Sequence, residues 1–438
     1  MKNLKKTVSI LLTASMGASM VCGCSKDKSD KEKTDEPKAS AMEVVEGGFD
    51  YSKYENVSYE PEKVDQAYLQ FVMNLYSKCT SAGEGENVMV SPASVMMALS
   101  VAAAGADGET FEQMVNTMAP GIDPDEFMKF ASDYNKYLNE AEGIDLSCAN
   151  SLWLNQAFCS QVFGSYLEYV KDKFNANATA LDFEDGESVE IINDWINENT
   201  NGMIKKAIND LEPSNIMVIV NAIAFEAAWM DAYEEYQVEE GKFTTADGGT
   251  VDVSMLNSVE DYYFENDIAT GFMKPYEGGR YAFVGILPKD ETLSIEEFSN
   301  LLTAEQYMAF WESGTYEFDV ITSMPKFESK YEITLNDVLK SMGMEDAFDM
   351  DNADFTKIIS SEDYNAYISK VIHKTYIDVN ENGTRAAAVT VVTLDAAAAM
   401  EEPEYKYVNL DRPYVYAIVD TESGTPLFIG NVTDPTAE

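Results

Sequence analysis

The chain carries a single histidine, His373, so any chemistry needing a nitrogen base or ligand has one candidate. One imidazole leaves one possible base for a Ser-His-Asp hydrolase. The glycine pattern of a nucleophile elbow, which would present a serine such as Ser91 to that base, is absent. Zinc sites ask for two or three imidazoles or a cysteine cluster, and the chain has neither. The folded part of the chain would retain Cys79, Cys148 and Cys159, an odd number that makes no disulfide framework and reads as buried thiols. No metal and no cofactor is implied.

The most unusual residues lie between His373 and Pro413. Tyr376-Ile-Asp-Val-Asn380 leads into Glu381-Asn-Gly-Thr-Arg-Ala-Ala-Ala-Val-Thr-Val-Val-Thr-Leu394 and then Asp395-Ala-Ala-Ala-Ala-Met400. Flexible loops favour Gly, Pro, Asn and Ser, yet no glycine follows Gly383 in this stretch and no proline precedes Pro403. Every second residue from Thr384 gives Thr384, Ala386, Ala388, Thr390, Val392 and Leu394, all small or apolar, so one face could enter a core. Arg385 and Asp395 fall on the other face, towards water. By itself this pattern fits an ordinary buried strand as well as a loop with the content of a strand.

The elements around it predict an α+β fold with antiparallel sheets. Asp123-Pro124-Asp125-Glu126 is an N-terminal helix signature that opens a helix towards Leu138. Ile191-Ile192 and Trp195-Ile196 have helical spacing. Strands are expected over Tyr281–Leu287, Tyr316–Ile321, Tyr414–Val419 and Leu427–Val432, the last two joined through the turn-rich Asp420–Pro426.

Among the 438 residues, 77 acidic side chains face 30 Lys and Arg, for a net charge of −47, which excludes nucleic acid and argues against polyanions and anionic membranes as partners. The amino terminus reads as a leader. Lys2, Lys5 and Lys6 precede an apolar run from Val8 to Val21, shorter than the ~20 residues a membrane span needs. It ends in Val21-Cys22-Gly23-Cys24, which resembles a bacterial lipobox with Cys24 as the lipidated residue, although valine stands where leucine is commonest and a cysteine precedes the glycine. An ordinary secretory signal with two incidental cysteines is the alternative. The expected organisation is a signal peptide over residues 1–23, a charged solvated tether over 24–60 and one folded domain over 61–438. The molecule would then be an extracellular lipoprotein that meets the membrane only through its N-terminal lipid.

Over nearly all of Pro61–Pro435 the chain resembles the serpin family. Glu381-x-Gly383-Thr384-x-Ala386-Ala387-Ala388-x-Thr390 is similar to the hinge of inhibitory serpins. Asn87-Val-Met-Val-Ser91-Pro92-Ala-Ser94-Val, Asn221-Ala222-Ile223-x-Phe225-x-x-x-Trp229, Pro325-Lys326-Phe327, Arg412-Pro413-Tyr414 and Leu427-Phe428-Ile429-Gly430 follow in the family's order, with tyrosine where phenylalanine is usual at 414. The resemblance implies helices packed around three mainly antiparallel sheets and an exposed reactive-centre loop. It implies a buried polar shutter of Ser91, Ser94, Asn221 and His373 beneath the large sheet A, and Trp229 at the breach where the loop enters that sheet. Arg385 departs from the family's usual acidic residue.

The function implied is that of a suicide substrate, acting as a monomer. A serine endopeptidase attacks the loop, and the cut loop inserts into sheet A. Counting from Glu381 puts the reactive bond near Ala397–Ala398; counting back from Pro413 gives Glu402–Pro403, a bond whose geometry most proteases reject. The small residues Ala396–Ala399 favour elastase-like or subtilisin-like targets over trypsin-like ones, which want Lys or Arg. Leu394 and Met400 leave chymotrypsin-like attack open. The alternatives are a non-inhibitory serpin used as a binding module and a serpin cleaved as substrate.

Overall fold

The computed structural model describes residues 43–140, 145–158, 161–359, 365–384 and 404–437. Ten helices are present among them: α1 (Ser52–Glu55), α2 (Pro61–Ala82), α3 (Pro92–Ala103), α4 (Gly108–Met118), α5 (Pro124–Asn139), α6 (Gly164–Phe174), α7 (Glu187–Asn199), α8 (Ile295–Leu301), α9 (Ala304–Glu312) and α10 (Asn336–Ser341). Helix α5 starts where its cap predicts, with the Asp123 carboxylate accepting from the amides of Asp125 and Glu126 and Pro124 in the first turn. Helix α3 is buried on every face, which its run of Ala, Val, Met and Leu permits.

Sheet A has the strand order β13 (Phe327–Thr334), β14 (Ile368–Asn380), β15 (Gly383–Thr384), β6 (Met217–Ala228), β3 (Asp145–Asn155) and β5 (Asn177–Leu181). Sheet B runs β2 (Val88–Val90), β18 (Pro426–Val432), β17 (Tyr414–Asp420), β11 (Tyr281–Pro288), β10 (Ala269–Pro275) and β9 (Tyr263–Glu265). Sheet C runs β16 (Glu404–Asn409), β12 (Phe318–Pro325), β8 (Thr250–Glu260) and β7 (Val238–Thr244). The expected α+β architecture with three mainly antiparallel sheets is present; three of the predicted strands lie within one residue of their observed bounds, and the fourth, expected over Tyr316–Ile321, is found at Phe318–Pro325. β11, β17 and β18 are buried on both faces, in keeping with their nearly continuous apolar sequences. Helix α3 touches β3 and β6 of sheet A and β18 of sheet B, so the main core lies between these sheets. On the other face of sheet A, Ile192 and Ile196 of α7 pack with Trp153, Val218, Val220 and Ile372.

One expected boundary is corrected. The tether does not extend to residue 60: β1 (Glu43–Val45) pairs in parallel with β4 (Gln161–Phe163), a fourth small sheet. Tyr51 and Tyr54 are buried, Tyr51 stacks on Tyr169 at 4.2 Å and its hydroxyl donates to Ala104 O at 2.8 Å. The physical reason is composition. Phe49, Tyr51, Tyr54 and Tyr59 supply large apolar area that the Lys, Asp and Glu run before them lacks. Cys24 and the expected leader lie outside the described residues, as do Cys159, Arg385, the hinge alanines Ala386, Ala387 and Ala388, and Ala397 and Ala398 at the expected reactive bond.

Candidate functional site: a sheet closed below and parted above

Strands β6 and β14 run in parallel, and their register brings His373 beside Asn221. Asn150 of β3 faces Asn221 from the other side. Three neighbouring strands therefore place one polar side chain each in a single row across sheet A. Beneath the row sits the start of α3. Its N-cap, Ser91, accepts from Ser94 N–H and donates its hydroxyl to Leu427 O at 2.8 Å.

Hydrogen-bond polarity fixes the state of the imidazole. The backbone amide of Ser91 can only donate, so His373 Nε2, 3.1 Å away, is the acceptor. The ring proton then sits on Nδ1 and goes to Asn221 Oδ1 in a short bond. The Asn221 amide group donates onward to Ser94 Oγ and, at 2.6 Å, to Asn150 Oδ1. Complete burial of the ring drives its pKa down to about 3, so it is neutral at physiological pH. In this arrangement the Ser91 hydroxyl faces Leu427 O rather than the imidazole, and His373 is not poised to activate it. The four expected shutter residues are together. Asn150 belongs with them and was not foreseen, because the sequence does not reveal which strands are neighbours.

Three residues further along, the two strands stop pairing with each other. Direct pairing of β14 with β6 ends at Tyr376–Ala224, and β15 then lies between them, antiparallel to both. Thr384 pairs with Val379 on one side and Ala227 on the other, and is fully buried. Gly383, with φ of 155°, lies on the positive side where glycine is at ease. Thr384, at which the alternating small or apolar face begins, is already inside the sheet.

Trp229 anchors this end. Its ring stacks on Tyr276 with centroids 4.6 Å apart and meets Phe283 edge-on at 6.1 Å. Its Nε1 donates to Asn380 O at 2.9 Å and its backbone amide to Asn382 O at 3.0 Å. Tyr233 N–H donates to Glu381 O, and the Tyr276 hydroxyl lies 2.6 Å from Thr384 Oγ1. Lys326 pairs with Glu381 at 2.5 Å and holds its carboxyl below the usual range. Tyr276 was missed by the sequence reading; the only signal would have been its neighbourhood to the apolar β11.

A large sheet whose central strands are joined by a buried polar row and then parted by Gly383–Thr384 is thus the frame of this site. The chain belongs to the serpin family: residues 66–435 match Serpin (serine protease inhibitor). It is 34% identical over 419 residues to a serpin-like protein of Thermococcus kodakarensis, covering 94% of this chain and 96% of the relative. Among solved structures it resembles the thermophilic serpin tengpin in its native state, with a TM-score of 0.78, 36% identity and coverage of 90% and 97% of the two chains. Against the latent state of tengpin the TM-score is 0.73 at 35% identity, covering 86% and 98%.

Proposed function

We propose that this protein inhibits serine endopeptidases as a suicide substrate, with elastase-like or subtilisin-like enzymes as its targets. The target's serine attacks the carbonyl of Ala397; the Ala397–Ala398 peptide bond breaks, an ester to the protease forms, and the amine of Ala398 leaves as a new amino terminus. Freed of its C-terminal foot, the segment from Thr384 onward threads between β14 and β6, carrying the acylated protease with it. About a dozen residues at ~3.3 Å each move it roughly 40 Å. New backbone hydrogen bonds at ~1 kcal/mol each and burial of side chains such as Val392 and Leu394 supply on the order of 10–20 kcal/mol. That matches or exceeds a typical protease's own stability of ~5–15 kcal/mol, enough to distort its active site.

The observation that carries this reading is the position of Gly383–Thr384, already paired with both strands at the mouth of a sheet that is closed below. A neutral, buried Thr384 favours an inhibitor over a non-inhibitory binding module. Processing at Cys24 would place the monomer on the outer face of a membrane, tethered by lipid and the residues before Glu43. The decisive experiment is incubation with an elastase followed by denaturing electrophoresis. A denaturant-stable complex, with a released peptide beginning at Ala397, Ala398 or Ala399, is expected; complete cleavage without complex overturns the inhibitory reading. Trypsin should not be trapped unless Ala397 is replaced by Arg.

A further inference from the structure

Sheet C ends in an edge strand, β16, that begins at Glu404, immediately after the segment bearing the proposed reactive bond. Along β16, Val408 is fully buried and Lys406 points inward, its ammonium over the rings of Tyr263 and Phe318, whereas Tyr405 and Tyr407 are 51% and 65% exposed. The alternation puts both tyrosines on the outer face. Register extends that face: Tyr407 stands opposite Ile321 of β12, which stands opposite Val259 of β8, itself 57% exposed. The short turn Glu235–Gln237 adjoins the same end of β8, with Tyr236 78% exposed. Tyrosine, isoleucine and valine thus form a continuous row across three strands where a solvated sheet face ordinarily alternates to polar residues. Asp319, directly opposite Tyr405, and the exposed Glu235 and Glu404 give the row an acidic rim.

We propose that this face is a docking surface for the target protease, used before cleavage; the proposal rests on the inhibitory reading above and adds a determinant of partner choice to it. The occupant follows from chain length. Ala398 to Glu404 is six residues, at most ~21 Å of chain. A protease of ~230 residues has a radius of gyration of roughly 17 Å, so one seated on the bond overhangs the outer face of sheet C. Tyrosines spend little side-chain entropy on binding and dominate interface energetics. The acidic rim selects a partner whose active-site cleft is bordered by an apolar patch with Lys or Arg around it, and predicts slower association at high salt.

The test uses the full chain with substitutions Tyr407→Ser and Val259→Ser together, and separately Tyr236→Ser. All three residues are more than half exposed, and circular dichroism with a thermal melt confirms the folded state. The rate of complex formation is measured with whichever of an elastase and a subtilisin the parent traps faster. The double variant should react at least ~10-fold more slowly and the Tyr236 variant ~3-fold more slowly. Complex yield at the end point and the cleaved bond should not change, because hinge and bait are untouched. Raising salt from 0.05 to 0.5 M should slow the parent and the double variant alike, because both keep the acidic rim. Equal rates for parent and both variants overturn the docking surface while leaving the inhibitory function standing. No complex with the parent overturns the inhibitory function itself. A parent that is dimeric by light scattering and becomes monomeric on Tyr407→Ser assigns the face to a second copy of this chain, and also overturns the proposal.

Discussion

Along one pair of strands, β6 and β14, the shutter and the breach solve opposite problems. At the shutter the strands are bonded to each other, and His373, Asn221 and Asn150 satisfy one another inside the sheet. Pulling them apart leaves several buried polar groups without partners, at ~1–3 kcal/mol each. At the breach the strands are apart, and Asn380 O, Asn382 O and Thr384 Oγ1 find their partners in Trp229 and Tyr276 only because the hinge is seated. In the proposed insertion, entry is therefore settled at the top, while the barrier to further opening sits in the polar row.

The largest break in that contrast should come from Thr384→Arg. It places an unpaired charge at a fully buried position between two strands. Covalent complex with an elastase should fall more than ~10-fold while cleavage continues, since a charge without a partner costs several kcal/mol on burial. Unchanged yield on a denaturing gel would remove the hinge from the mechanism. Asn221→Ala attacks the other end. It takes the acceptor from His373 Nδ1 and the donors from Ser94 and Asn150, and urea unfolding should show a loss of ~3–5 kcal/mol. A loss below ~1 kcal/mol would mean the row does not hold the sheet closed.

The pH dependence of the shutter carries a definite sign. An ordinary histidine titrates at 6.5 and this one at about 3, so the unfolded chain takes up a proton that the folded one refuses. The contribution is neutral above pH 6.5, becomes increasingly destabilising as pH falls towards 3, and amounts to ~3 kcal/mol at pH 4. Comparing urea unfolding at pH 7 and pH 4, the parent should lose that much more than His373→Gln. The carboxylates titrate in both proteins and cancel in the comparison. Tyr276→Phe is the gentlest probe. It keeps the stack on Trp229 but orphans Thr384 Oγ1, at about 1 kcal/mol. Amide exchange at Gly383 and Thr384 should quicken by roughly fivefold while the shutter's is unchanged.

The two ends also differ in how legible they were. Ser91, Ser94, Asn221 and Trp229 could be named because their sequence blocks resemble the family's pattern, and His373 because it is the chain's single histidine; the structure joins Ser91, Ser94, Asn221 and His373 in one hydrogen-bonded cluster. Asn150 and Tyr276 could not, since each acts through a neighbour far away in the chain and neither stands in a distinctive local motif. Helix α5 and strands β11, β17 and β18 were readable from a cap and from apolar runs, which are local signals. The start of the folded body was not. Charge up to Lys38 suggested a tether, and the pull of four aromatic residues after Gly48 outweighed it.

A consequence follows from the short gap between the two pairings. Below it, β14 and β6 form one parallel ladder; above it, β15 makes two antiparallel ones. Between Tyr376 and Val379 on one side, and Ala224 and Ala227 on the other, only Ile377–Asp378 and Phe225–Glu226 bridge the change. In the insertion proposed here this junction is a travelling fork. Each step downward unzips a slanted parallel link and closes antiparallel links on both flanks, without exposing a long stretch of bare backbone. The race against deacylation is then run residue by residue, and a single misfitting side chain stalls the fork at its own position. Partial insertions should accordingly come in discrete lengths, each set by the first residue that the fork cannot pass.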